Sequence, residues 1–564
     1  MNHMPTVRIA SLLSGALLLL GGCVPAWAAS PQMRLTRETP GPAPANLMRE
    51  WKPVLSHTHN LRGGGLSFEE AKVKLVDWCR RLGVAALGVG SPWEPVSRAA
   101  YLRFEGADRD LYYSGRIDPQ SVMHRDQIGR MLQDLNGLSG GATLFYLDNE
   151  TPKCRYGHVW WFGYDYDVPA WHDYSQDRPI EYWENDSERE INSITGQPHR
   201  RRCLLEIMAR QRKAGALGVF AHPTSWWTAS DGRFVTNIAS ECALFLMAEG
   251  YLDGFTAMGY DACHRAYQSL WFELLDTGAI VPGFAETDYA LDNRRTYDNV
   301  RTFLSFLHAP GETQLKRIVA AAREGACFMS TGAFLIASVD GVPMGRVATT
   351  RSGLRHRLRI EAYPGKGQAR FSRIDVAGKG GAILARKNSW PGGILEYEFP
   401  GRDEADYIVV RAFGQNDNPD APSQKDIEHM AMTNPVYLHP RGFRFQPVQT
   451  ECIVQVQPGS AWEGGALEFQ TAGGETIARH PIRAGAIKAT LPASARVSLT
   501  KAGIGERCFY IAMENPKVQR LLTYLYRGEF RKDYGNPPAG NVSPAAFRLG
   551  EMREALRQFV YVLR

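Results

Sequence analysis

The sequence predicts an α/β fold: βα units around a parallel sheet or barrel, then β-sandwich modules, then a C-terminal helix. Three observations carry this reading. Between about residues 50 and 330, short apolar strands alternate with amphipathic helices. Beyond Gly332 the helical period disappears, and short β-like segments with Gly, Asn and Pro turns take over. The length is 564 residues with 44% hydrophobic and 22% charged, which suits about three folded domains and excludes a disordered tail.

In chain order, residues 1–28 read as a signal peptide. Arg8 supplies the positive start, Leu12 through Leu20 the apolar core, and Ala26-Trp27-Ala28 a small-x-small cleavage pattern. Export to a periplasmic or envelope-associated location follows. Leu20-Gly21-Gly22-Cys23 also resembles a bacterial lipobox, which makes a lipid anchor on Cys23 the alternative processing route. Residues 29–50 read as a linker rich in proline (Pro40, Pro42, Pro44). Over 51–331, Ser67 and Glu70 form a capping box that opens a helix through Leu75, Cys79 and Leu82, ended by Gly83. A buried strand over 84–89 follows it. The same alternation recurs at 204–214 with 216–221 and at 262–276 with 279–284. Residues 332–440 form a sandwich module, with strands near 358–362, 372–376 and 407–412. Residues 441–515 form a second β-rich module that alternates at Cys452, Val454 and Val456 and at Leu467 and Phe469. Residues 516–564 return to helix.

Charge and cysteine use narrow the function classes. Lys+Arg 65 minus Asp+Glu 59 leaves +6, too small an excess at this size to imply nucleic acid. Arg200-Arg201-Arg202 beside His199 reads as a solvated helix start. No stretch after the signal reaches the roughly 18 apolar residues of a membrane span. The nine cysteines lack metal-knuckle or CxxC spacing. Cys79, Cys203, Cys242 and Cys263 read as buried thiols, while Cys452 and Cys508 are the pair suited to a disulfide in an oxidising envelope.

The chemistry-bearing side chains fall where strands end. Val54-Leu55-Ser56-His57-Thr58-His59 puts two imidazoles on one side of an extended segment, a spacing that lets both grip one ion. A strand over 143–147 runs into Asp148-Asn149-Glu150, and His158 heads the next strand. A third strand ends in His222-Pro223 and a fourth in Glu286-Thr287-Asp288. In a βα barrel such ends converge on one mouth. His124, His172, His264 and Glu286 lack this placement and read as surface or supporting residues. Trp93, Trp160, Trp226 and Trp227 flank the motifs as pocket walls or as core. Gly137-Leu138-Ser139-Gly140-Gly141 matches a serine-hydrolase elbow, but a helix precedes it and a strand follows, so it reads as a loop.

These motifs, in this order, resemble the metal motifs of the polymerase and histidinol phosphatase (PHP) superfamily. Phe328-Met329-Ser330-Thr331-Gly332, Val339-Asp340-Gly341 and Met432-Thr433-Asn434-Pro435-Val436-Tyr437 resemble its carbaryl-hydrolase-like (CehA/McbA) branch. The resemblance covers roughly residues 50 to 440. It implies a distorted (β/α)7 barrel, TIM-like in outline, carrying a β-sandwich, and two divalent ions. The first ion would take His57, His59, Glu150 and Asp288. The second would share Glu150 and take His158 and His222. A third site is lost: Gly90-Ser91-Pro92-Trp93, Gly65 and Asp288-Tyr289-Ala290 replace its ligands. Zn, Mn or Fe suits this donor set, and a hydroxide held between two cations implies hydrolysis of a small-molecule substrate. Lys153 or Arg155 would stabilise the oxyanion in place of the third ion. The branch implies a carbamate or carboxylic ester, and the superfamily a phosphoester. The opposed reading is a non-catalytic envelope binding protein with a structural metal.

Overall fold

In the computed structural model the described residues are 33–58, 68–90, 125–150, 159–164, 215–223, 226–228, 234–236, 241–259, 264–287, 303–415, 430–512, 515, 517–518 and 549–564. The signal-peptide region and Cys23 lie outside them. The chain begins with β1 (Arg34–Glu38), α1 (Ala45–Glu50), β2 (Trp51–Leu55), α2 (Phe68–Leu82), β3 (Ala86–Gly90) and α3 (Arg125–Ser139). It continues through β4 (Leu144–Glu150), β5 (Val159–Tyr164), β6 (Leu217–Phe220), β7 (Trp226–Thr228), β8 (Phe234–Thr236), α4 (Glu241–Ala248), β9 (Gly254–Met258) and α5 (His264–Asp276). Then come β10 (Gly283–Ala285), β11 (Leu304–His308), α6 (Leu315–Arg323) and β12 (Cys327–Ser330).

The expected helix-then-strand alternation is present at α2 with β3 and at α5 with β10, while the helix expected at 204–214 lies outside the described residues. Helix α2 buries Leu75, Trp78 and Cys79 and stops where Gly83 takes φ +67, its C-terminal carbonyls capped by Val84 N–H to Cys79 O at 2.9 Å. Strands β2 and β6 are buried on both faces. One face gathers Val54, Ala86, Tyr146, Trp160, Leu217, Val219, Phe284 and Leu307 into a cluster with Ile318, Val319 and Ala322 of α6. The other face, with Leu55, Leu87, Phe145, Leu147, Trp161 and Phe220, joins the larger core shared with α2, α3, α4 and α5. The sheet therefore encloses its own inner core, and α6 packs into that core alongside the strands.

The (β/α)7, TIM-like barrel expectation is corrected here. The strands form an open, mixed fifteen-stranded sheet, in the order β10-β9-β6-β5-β4-β3-β2-β11-β12 and onward into the sandwich strands. Strands β2, β3 and β4 pair in parallel, but β5 pairs antiparallel to both β4 and β6, and β11 antiparallel to both β2 and β12. The physical reason is partly a connection length. Residues 151–158 are too few for the dozen or more that a parallel crossover needs, so β5 must turn back along β4. No backbone ladder joins β10 to β11 or β2 among the described residues. One backbone bond, Thr287 N–H to Ser56 O at 3.3 Å, and side chains bridge that gap: Ala285 N–H donates to Ser305 Oγ at 3.0 Å, and Asn434 bonds Gly283 and Cys327.

The large sheet extends through β15 (Val347–Thr350), β17 (Phe371–Ala377), β18 (Ile383–Trp390), β20 (Asp406–Gly414), β21 (Ala431–Thr433) and β22 (Val436–Pro440). Opposite it stands a five-stranded sheet: β1, β13 (Phe334–Val339), β14 (Val342–Pro343), β16 (Arg355–Tyr363) and β19 (Gly393–Pro400). Leu358, Ile360 and Leu395 of this sheet share a core with Ile374, Val376 and Val410 of the other. The expected sandwich is thus present, though fused to the larger sheet, and the expected linker contributes β1 to it.

The C-terminal module comprises β23 (Gln449–Val456), β24 (Ala466–Gln470), β25 (Thr476–Pro481), β26 (Gly485–Pro492), β27 (Arg496–Lys501), β28 (Gly505–Tyr510), α7 (Leu549–Ala555) and β29 (Gln558–Leu563). The expected C-terminal helix is corrected in its last part. After α7 the segment Gln-Phe-Val-Tyr-Val-Leu pairs parallel to β23. It buries Phe559 and Leu563 with Cys452, Val454 and Val456, a period of two in a β-branched and aromatic run. The Cys452–Cys508 disulfide is corrected too, since Cys452 is a free, buried thiol. No described helix is long and apolar enough to cross a membrane.

Candidate active site

At the carboxyl ends of β2, β4 and β6, and just beyond β10, four polar side chains meet above the inner core. His57, Asp148, His222 and Glu286 are 1%, 1%, 3% and 0% exposed. The backbone at His57 takes φ +54, a left-handed conformation uncommon for histidine and of the kind held only where surroundings enforce it. Two bonds do so: His57 N–H donates to Asp148 Oδ2 at 2.7 Å, and Nδ1 lies 2.8 Å from Glu286 Oε2. The Thr58 hydroxyl donates to the Gly88 carbonyl. Only glycine fits at position 88, because a β-carbon there would overlap the Asp148 carboxylate.

Glu286 is the hub. Besides His57 it accepts from His222 N–H at 2.8 and 3.1 Å and from Thr256 Oγ1 at 3.1 Å. A carboxylate on Nδ1 fixes the imidazole tautomer and orientation, presenting Nε2 as the basic nitrogen. The rings of His57 and His222 lie 5.2 Å apart at 30°, and Trp160 stacks on His57 at 6.2 Å. Burial, and then the Asp148 charge, push the Tyr146 phenol well above its ordinary range.

Of the sequence-expected ligands, His57 and His222 are brought together. Glu150 ends β4 opposite Trp160. The side chain of Glu150 lies outside the described residues, as do His59, His158 and Asp288 and the expected catalytic Lys153 and Arg155. The extended His-x-His segment is corrected at His57 by its positive φ. Glu286, read from sequence as peripheral, is central; Trp160, read as pocket wall or core, is buried against His57, and Asp148 and Thr256 carry no role in the sequence reading. Their signal was adjacency: Asp148 and Glu286 each stand two residues before an expected ligand. The loop expected at Gly137-Leu138-Ser139-Gly140-Gly141 is corrected in its first part: Gly137 to Ser139 end α3, and Ser139 trades bonds with Thr143 across the turn.

The spacing of the two imidazoles suits a shared ion. Two imidazoles on one tetrahedral ion at ~2.1 Å have ring centroids about 5 Å apart, which matches the His57–His222 pair. A buried carboxylate behind one ring is the usual support of a metal-bound histidine. Among the described residues alone, no group of three or more His, Cys, Asp or Glu is arranged to hold an ion.

No family model matches the chain, and no curated protein matches it. Among solved structures, the major pilin subunit BcpA of Bacillus cereus is similar at TM-score 0.13 and 7% identity, over 31% of this chain and 60% of the pilin. The fibronectin(III)-like modules of Clostridium thermocellum CbhA give TM-score 0.12 and 10% identity, over 31% of this chain and 90% of theirs. The Bacillus anthracis TIE protein gives TM-score 0.12 and 9% identity, over 35% and 41%. The chain thus spans about 60% of the pilin it matches. Likenesses at these TM-scores carry no argument about fold or activity.

Proposed function

We propose that this protein is an exported metal-dependent hydrolase of small ester or carbamate substrates, working at the strand ends that carry His57 and His222. The observation that carries the reading is one fully buried carboxylate, Glu286, that holds the His57 ring and the His222 backbone within a single constellation. Burial of so many titratable groups at one point is costly for a core and ordinary for a reactive site. When bound, divalent cations supply Lewis acidity and an acidified water. His57 and His222 would hold them, together with His59, Glu150, His158 and Asp288. Glu286 holds the His57 proton at Nδ1, and Trp160 walls the site. Lys153 or Arg155 would meet negative charge developing on the substrate.

Metal content of the purified protein, with hydrolysis assayed on aryl carbamates, aryl esters and phosphodiesters, tests this. The expected result is about two ions per chain, carbamate or ester turnover, and a folded but inactive His57→Ala variant. One ion or none, with no metal-dependent turnover on any panel, overturns it. Phosphodiester turnover alone reassigns the bond.

A further inference from the structure

We propose a second ligand site, for a small organic cation with an apolar body, in a cavity of about 300 Å³ between the large sheet and the five-stranded sheet. The cavity opens beside Trp51, the first residue of β2, whereas the His57 constellation lies past the other end of that strand. Five residues of strand span about 16 Å, so the two sites are distinct. A volume of this size is at the lower end of small-ligand pockets.

The floor is apolar and rigid. Trp51, Ala337 and Met344 line it and are 7%, 6% and 2% exposed. Trp51 is wedged against Phe328 and Phe334 at 5.3 and 6.2 Å, and the His308 ring tilts onto it at 5.0 Å. The indole is thereby fixed before any ligand arrives, which spares the ordering cost of binding.

The rim decides the ligand's charge. It carries three carboxylates, Glu50, Glu324 and Glu361, against two guanidiniums, Arg346 and Arg359. Both guanidiniums are committed: Arg346 to Glu324 at 2.6 Å and Arg359 to Glu361 at 3.5 Å. Glu361 also accepts from the Tyr363 hydroxyl at 2.9 Å. Glu50 faces only His308, at 3.6 Å, and among the described rim groups it is the carboxylate without a guanidinium. An incoming ammonium therefore meets the Glu50 carboxylate at the rim while its apolar body rests on the floor that Trp51 lines. An incoming carboxylate meets occupied guanidiniums and an additional negative charge.

Titration calorimetry of the full chain with phenethylamine, phenylacetate and benzyl alcohol tests this. Phenethylamine is expected to saturate one site, at least about threefold more tightly than either comparison compound. Glu50→Gln is expected to weaken it about three- to tenfold, and Glu50→Lys to abolish it and reverse the preference toward phenylacetate. Glu50 is surface-exposed, so both variants should fold as the parent does. Phenylacetate or benzyl alcohol binding as tightly as the amine, an unchanged affinity in Glu50→Gln, or no saturation by the amine at about 10 mM overturns the assignment.

Discussion

Replacing Glu286 by Gln probes the hub of the constellation with almost no change of volume. The carboxylate accepts from three donors: the His57 ring, the His222 N–H and the Thr256 hydroxyl. An amide keeps one acceptor oxygen and turns an N–H₂ either toward His222 N–H, donor against donor, or toward His57 Nδ1, which must then give up its proton to Nε2. At a site 0% exposed water cannot repair the loss. One charge-assisted bond is removed and one buried donor stranded, together about 2–4 kcal/mol. Urea unfolding should show that loss with an unchanged denaturant slope. Nitrogen-15 NMR of the histidines should show His57 losing its fixed Nδ1–H tautomer. A variant within about 0.5 kcal/mol of the parent, with the tautomer intact, would refute the view that the Glu286 charge organises the site.

Two further outcomes concern buried titratable groups. Burial raises the Glu249 carboxyl to about 7, against the smaller opposing effect of its bond from Ser494. Its folded pKa stands above the unfolded value of 4.5, so the folded state binds the proton more tightly. The contribution of this group to stability is therefore greatest below about pH 4.5 and is lost as pH rises through about 7, by up to roughly 3 kcal/mol. Glu249→Gln should remove that slope in thermal unfolding measured across this window, and a parent protein with no slope relative to the variant counts against the assignment. Burial likewise pushes the Cys452 thiol up to about 12, so iodoacetamide should label it only after unfolding. A Cys452–Cys508 cross-linked peptide in a non-reducing digest would contradict the free thiol.

Much of the local structure was legible in the sequence because it depends on neighbours along the chain. Gly83 ends α2, strand alternation marks β23 and β24, and turn residues divide the sandwich strands; Ser67 of the expected capping box lies outside the described residues. The barrel expectation failed because a βα alternation does not state strand direction. The short 151–158 connection was the available clue to β5. The C-terminal helix failed in part because β29 is a strand only by pairing with β23, about 100 residues earlier.

His57 and His222 were legible because strand-end positions repeat along the sequence. The sequence by itself determined most of the helix and strand segments outside β1 and β29, and that acids and imidazoles gather at strand ends. Only the tertiary structure decided that Glu286, 229 residues from His57 and 64 from His222, is the carboxylate joining them. Likewise it decided that Asp148, rather than the more conspicuous Glu150, takes the His57 amide. Partner choice across such separations is settled by which strands lie side by side and which small residue, here Gly88, leaves space, and residue order alone encodes neither.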